Sequence, residues 1–250
     1  MKGLTRHIPN ILTCISLMFG LYASILGING NYFGAMCAIF MAAVFDFSDG
    51  FAARLLKACS SVGKELDSLA DVVSFGVAPG MMLFSFLDKL LCNLSWNDSV
   101  ACKSLLLTAF AIPVFSAVRL ARFNIDDRQK TSFIGLPVPA HAILWSSLIV
   151  VLASETPAGA CIFPQPAEMM TVIKPSLLLF TLSVSVIATS LLLISRIPMF
   201  SLKISSLSRQ ANKMIYILIA STILLTLFFG ILGITLAILL YILLSCRSRR

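Results

Sequence analysis

Apolar residues fall along this chain in long blocks separated by short polar runs. Eight blocks can be drawn, at 8–28, 31–55, 66–87, 100–120, 134–153, 173–194, 214–229 and 231–246. Most are near the ~20 residues that a helix rising 1.5 Å per residue needs to cross ~30 Å of hydrocarbon. The pattern predicts an all-α integral membrane protein. The last two blocks are short and parted only by Gly230, so they form either a tight hairpin or one long, bent segment. The first block is too long for a signal peptide and lacks a small-residue cleavage motif.

Composition strengthens this reading. Residues are 58% hydrophobic and 12% charged, against about 25% charged in a soluble domain. The formal net charge of +8 would suit a nucleic-acid binder, but its distribution argues otherwise. Of the 19 lysines and arginines, all but Lys89, Lys103 and Lys174 lie at the termini or at the junctions after the second, fourth and sixth blocks. That is the positive-inside pattern of a bundle with both termini in the cytoplasm. Such residues face anionic lipid headgroups, and no soluble basic face remains for nucleic acid. The basic stretch 196–213 reads equally as a surface helix on acidic lipid or as a solvated connector. Seven cysteines show no CxxC or Cys/His ligand spacing, which argues against zinc.

The informative polar residues sit where the second and third blocks meet. They are Asp46, Asp49, Gly50, Ala53 and Arg54, then Gly63, Asp67 and Asp71. On a helix Asp46, Asp49, Gly50 and Ala53 share one face, and so do Asp67 and Asp71. Gly63 is placed to turn the chain between the two helices. At 1.5 Å per residue Asp46 lies about 22 Å from Asn31, and Asp71 about 24 Å from Leu87. All four carboxylates therefore converge in the cytoplasmic third of the bilayer.

Each such Asp costs on the order of 3 kcal/mol on the insertion scale. Two carboxylates ~4 Å apart repel by roughly 4 kcal/mol at an effective dielectric of 20. A cation among them would offset both terms. All-oxygen ligands select Mg²⁺, Mn²⁺ or Ca²⁺, and four carboxylates on two helices suit a pair of ions. Gly50 and Ala53 leave a notch through which a flat group or a diphosphate can approach the backbone, with Arg54 at its border. Small residues also serve helix packing.

The pattern D-x2-D-G-x2-A-R-x8-G-x3-D-x3-D, from Asp46 to Asp71, resembles the signature of the CDP-alcohol phosphatidyltransferases, with every fixed position filled. The resemblance implies a six-helix membrane core, here followed by about two further C-terminal helices, in an often dimeric protein. It places the core at 1–195 and a basic connector with a transmembrane hairpin at 196–250. It implies displacement of CMP from a CDP-linked lipid by an alcohol, with a pair of Mg²⁺ or Mn²⁺ ions. Asp46, Asp49 and Asp67 would be metal ligands. Asp71 would be a ligand or neighbour doubling as general base. Gly50, Ala53, Arg54 and Gly63 would border the CDP-lipid. The site would face the cytoplasm of a bacterial inner membrane.

Three further segments resemble the branch of that family whose acceptor is L-serine and whose donor is CDP-diacylglycerol. They are 8–13, 74–79 and the region 119–140, which contains Arg119, Arg122 and Asn124. Ser16 and His141 depart from that branch's usual residues. Arg119 and Arg122 are i, i+3 at a helix end level with the aspartates, and a guanidinium grips a carboxylate in bidentate fashion. Snorkelling Arg would give the same spacing. Two alternatives stand beside serine transfer. One keeps the fold but takes another acceptor, such as glycerol 3-phosphate or an inositol compound. The other is a membrane cation or proton transporter, whose site belongs nearer the midplane.

Overall fold

The computed structural model describes residues 7–58, 60–92, 100–125, 133–153, 174–199 and 213–247. The apolar blocks are helical within these limits. Helix α1 (Ile8–Ile28) turns at Gly30, whose φ is +79°, into α2 (Tyr32–Leu55). Asn31 caps α2 by accepting the Gly34 N–H at 2.9 Å. At the other end α2 closes in a Schellman motif, with Ala58 N–H donating to Ala53 and Lys57 N–H to Arg54. Lys57 takes the left-handed conformation, φ 50°. The turn expected at Gly63 is thus made earlier. Gly63 is already helical, and its N–H donates to the N-cap hydroxyl of Ser60 at 3.0 Å. A side-chain cap and a Schellman turn need no glycine at that point.

The third block is longer than its hydropathy suggested. It comprises α3 (Ser61–Asp71), a π-helical turn (Val72–Val77) and α4 (Ala78–Cys92), one continuous run of 32 residues. Pro79 explains the π-turn. It has no N–H for the Phe75 carbonyl, and its ring crowds that carbonyl, so the helix widens just upstream. Gly76, inside the turn, faces Pro113 and Ser116, so this disturbance serves helix packing. Next come α5 (Val100–Leu106), a 3₁₀ turn (Leu107–Phe110) and α6 (Ala111–Ile125). Here Pro113 removes the N–H that would have reached Ala109.

Helices α7 (Val138–Leu152) and α8 (Pro175–Ile194) follow, then α9 (Lys213–Phe229) and α10 (Ile231–Arg247). The final pair packs as a hairpin turned at Gly230, φ +58°. Ser147 on α7 and Thr235 on α10 hydrogen-bond at 2.8 Å, which fastens this hairpin to the core. Two two-residue strands, β1 (Phe133–Ile134) and β2 (Pro198–Met199), pair antiparallel. They join the start of α7 to the end of α8, and no apolar period announced them. Gly135, φ +78°, donates to the Ile197 carbonyl at 2.9 Å as part of this clasp. The connection 154–172 and most of 196–213 lie outside the described residues.

Five helices are long and apolar enough to cross a membrane, and three shorter apolar helices accompany them among the described residues. Large apolar side chains such as Met18, Tyr22, Phe47 and Phe180 point outward. A soluble surface rarely tolerates that, whereas lipid accepts it. Inside, small hydroxyls tie helix to helix. Ser16 donates to the Ala42 carbonyl at 2.9 Å, and Ser74 to the Ser16 carbonyl at 3.1 Å. Ser16 is therefore a buried tie joining α1, α2 and the π-turn. His141 is fully buried, with Nε2 3.1 Å from the Thr189 hydroxyl and beside Trp145. It links α7 to α8.

Candidate active site

The geometry follows from where the two Asp-bearing helices end. Asp49 lies six residues before the end of α2, and Asp67 six residues after the start of α3. Each is thus about 9 Å from the turn, and the helices run in opposite directions. Asp46 and Asp71 lie nine and ten residues from the same ends, one further turn in. The carboxylates come level as Asp49 with Asp67 and Asp46 with Asp71. Yet α2 and α3 make little backbone contact with each other; both lean on α1. Their acidic faces look across a gap.

One carboxylate oxygen each from Asp46, Asp49 and Asp67 lie within 4.8 Å of one another. Asp46 is also within hydrogen-bonding reach of Asp71. Asp49 is buried, and the other three are half-buried. Among the described residues the partners of Asp46, Asp49 and Asp67 are one another, Asp71, Thr13 and the backbone of Gly50. Among the described residues no cationic side chain pairs with these three. Oxygens bound to one Mg²⁺, Mn²⁺ or Ca²⁺ at 2.0–2.6 Å lie at most ~4–5 Å apart. The three carboxylates meet that test as a hard, all-oxygen donor set. Asp71 falls outside the close trio and borders it through Asp46.

A cavity of about 250 Å³ opens beside the trio. Its walls include Gly50, Ala53 and Arg54 from α2, Gly63, Lys64 and Asp67 from α3, and Pro9, Asn10 and Thr13 from α1. All four residues expected to border the CDP-lipid therefore line one pocket. Over Gly50 nothing lies within 4 Å of where a Cβ would stand, so the notch is open. The volume is below the ~300–1,000 Å³ of drug-sized sites, suited to a headgroup rather than a whole lipid.

Thr13 was not singled out from the sequence. Its hydroxyl donates to Asp49 Oδ2 and lies 3.1 Å from the Pro9 carbonyl. Its signal was present only as membership of the 8–13 segment. On the far side of Asp71, Arg119 is buried and interacts electrostatically with Asp71 and with Tyr241 of α10. Its Nε finds no hydrogen-bond partner among the described residues. The structure separates the arginine pair, because Arg122 is exposed. Asn124 is engaged within the protein: its Nδ2 donates to the Ser68 hydroxyl at 2.9 Å.

The sequence profile of the CDP-alcohol phosphatidyltransferases matches residues 6–187. The chain is 36% identical over 138 residues to a CDP-diacylglycerol–serine O-phosphatidyltransferase of Bacillus subtilis, covering 54% of this chain and 70% of that protein. A protein of the same name from Mycobacterium leprae is 34% identical over 199 residues, covering 77% of this chain and 57% of the relative. One from Methanocaldococcus jannaschii is 35% identical over 137 residues, covering 55% and 57%. The chain thus spans little more than half the length of the last two relatives.

Proposed function

Because the chain belongs to the CDP-alcohol phosphatidyltransferase family, we propose that it transfers the phosphatidyl group of CDP-diacylglycerol to the hydroxyl of L-serine, giving phosphatidylserine and CMP. One observation carries this reading. The aspartates adjoin two different anion-receiving features: Asp49 and Asp67 line the Gly50–Ala53–Arg54–Gly63 pocket, and Asp71 lies within electrostatic reach of buried Arg119. The names of the relatives support serine as the acceptor.

In this arrangement the open notch at Gly50 and Ala53 admits the cytidine and diphosphate close to the α2 backbone, and Arg54 and Lys64 offer charge to the phosphates. Asp46, Asp49 and Asp67 would hold one or two Mg²⁺ or Mn²⁺ ions, which when bound neutralise diphosphate charge and stabilise the departing phosphate. Arg119, with Nε unpaired, receives the serine carboxylate. Asp71 accepts the proton of the serine hydroxyl as its oxygen attacks the lipid-linked phosphorus. The bond from that phosphorus to the bridging oxygen breaks, and CMP leaves with the electron pair.

The same end of the bundle carries Arg54, Lys57, Lys64, Arg119 and Arg122, so the positive-inside bias supports a site opening to the cytoplasm of a bacterial inner membrane. The profile's end at residue 187 supports a core of 1–195 with 196–250 as an appended segment. Membrane lipids surround the bundle, and a homodimer fits the family. A guanidinium also receives phosphate, so glycerol 3-phosphate is the second acceptor to try. The test is CMP release by purified protein with CDP-diacylglycerol, Mn²⁺ and each acceptor in turn. Serine should drive it and glycerol 3-phosphate should not, and chelator should abolish it. Turnover with glycerol 3-phosphate alone would replace serine as acceptor. Full activity in excess chelator would remove the metal from the mechanism.

A further inference from the structure

Helix α6 packs on the π-helical turn, where Pro113 seats against Gly76 and Gly80. Toward the basic end α3 and α6 make little backbone contact. There they are bridged by a closed set of hydrogen bonds. Asn124 Nδ2 donates to Ser68 Oγ at 2.9 Å, Ser68 Oγ donates to the Lys64 carbonyl at 3.1 Å, and Lys64 Nζ donates to the Asn124 carbonyl at 3.3 Å. The Ser68 hydroxyl therefore both accepts and donates, which fixes its rotor.

We infer that this Asn124–Ser68–Lys64 bridge is a positioning device that sets the width of the gap between α3 and α6. Asp71 on α3 lies within electrostatic reach of buried Arg119 on α6. Ser68 sits one residue after Asp67 and one turn before Asp71, so a shift at Ser68 moves both carboxylates. Lys64 also lines the cavity beside the aspartates, so the bridge joins the donor pocket to the acceptor helix. Asn124 then acts through α3 and is a positioning residue, with no contact to serine. The inference rests on the reading of Asp71 and Arg119 as base and acceptor grip. Positioning errors near 1 Å can cost about 10²-fold, and loss of one bridge arm should cost roughly three- to thirtyfold in kcat.

Two measurements test it, one independent of the acceptor. Spin labels at Val62 and Ile125, 70% and 84% exposed, in a full-length chain freed of its cysteines, report the α3–α6 separation by double electron–electron resonance in nanodiscs. Asn124→Ala and Ser68→Ala should each broaden or shift that distribution, and Ser68→Thr, which keeps the hydroxyl, should restore it. An unchanged distribution in both alanine variants overturns the inference. In the assay both alanine variants should lower kcat while KM for serine stays within about twofold. Their double variant should be no worse than the poorer single. A raised serine KM at unchanged kcat in Asn124→Ala, with Ser68→Ala silent, would make Asn124 a direct acceptor contact and overturn the positioning role. If the unaltered protein shows no serine-dependent turnover, the function reading fails, and the resonance result alone decides the bridge.

Discussion

Thr13 offers the sharpest test of the carboxylate cluster, because one atom can be removed with little else disturbed. Its hydroxyl donates to Asp49 Oδ2, and Asp49 is one of the three carboxylates that meet within 4.8 Å. Thr13→Val keeps the branched shape of a side chain that is only 4% exposed, so the α1–α2 packing loses no volume. The second contact of the hydroxyl, to Pro9 four residues back, is a local helix bond of small worth. What is lost is a hydrogen bond to an ionised group, worth about 1.5–3 kcal/mol, or roughly 10- to 150-fold at 1.4 kcal/mol per decade. Partners that orient a metal ligand typically cost 10–100-fold when removed, within the same range. Electron paramagnetic resonance of free Mn²⁺, titrated into purified protein, should therefore show the Kd for Mn²⁺ weakened about 10- to 100-fold by Thr13→Val. Thr13→Ser should bind nearly as the parent does, since the donor returns. Equal Mn²⁺ affinity in the parent and the valine variant would refute the idea that Thr13 orients a metal ligand.

Other substitutions read other parts of the site. Asp71→Asn keeps size and polarity but cannot take a proton, so CMP release should fall about 10²–10⁴-fold while a spin-labelled CDP-lipid still binds; near-parental turnover would remove Asp71 as the base. Gly50→Leu points into open space, so it should leave thermal stability unchanged and raise KM for CDP-diacylglycerol, and an unaltered KM would mean that the notch does not receive the donor. Gly135→Ala forces a Cβ into the left-handed region at φ +78° and against the Leu193 carbonyl. It should cost on the order of 1–3 kcal/mol, read as a lower melting temperature in detergent, and an unchanged melting temperature would show the clasp of β1 and β2 to be without weight.

The helices and the aspartates were legible in the sequence for different reasons. Hydrophobic length reports a membrane helix directly, because hydrocarbon forces every backbone group to bond within its own segment. The Asp spacings fixed which side chains share a helical face, and the arithmetic of helix ends then brought the faces level. Three features had no such signal. The Lys57 Schellman turn replaced an expected glycine turn, since ring closure by Ala58 N–H to Ala53 depends on backbone geometry more than on residue type. The π-turn was readable only as a disturbance at Pro79. The division of Arg119 from Arg122 was not readable, because i, i+3 spacing is shared by a paired grip and by a buried–exposed couple 60° apart around the helix. Only the packing of α6 on the π-turn decides which of the two faces inward.

That packing also bears on why so much acidity is tolerated. Had α2 and α3 packed directly, four carboxylates would lie in a seam from which water and ligands were excluded, with repulsion of several kcal/mol for each close pair. Instead α1 carries both helices through ties such as Ser16–Ala42 and Ser74–Ser16, and the acidic faces look onto an open cavity. The stabilising contacts and the costly groups are thereby assigned to different faces of the same helices. The π-turn begins at the residue after Asp71, at the junction of the two regions. Above it α4 packs tightly, with Leu83 and Leu87 fully buried, and below it α3 stands away from both α2 and α6. A helix that must be core at one end and a site wall at the other needs such a change of course, and Pro79 supplies it.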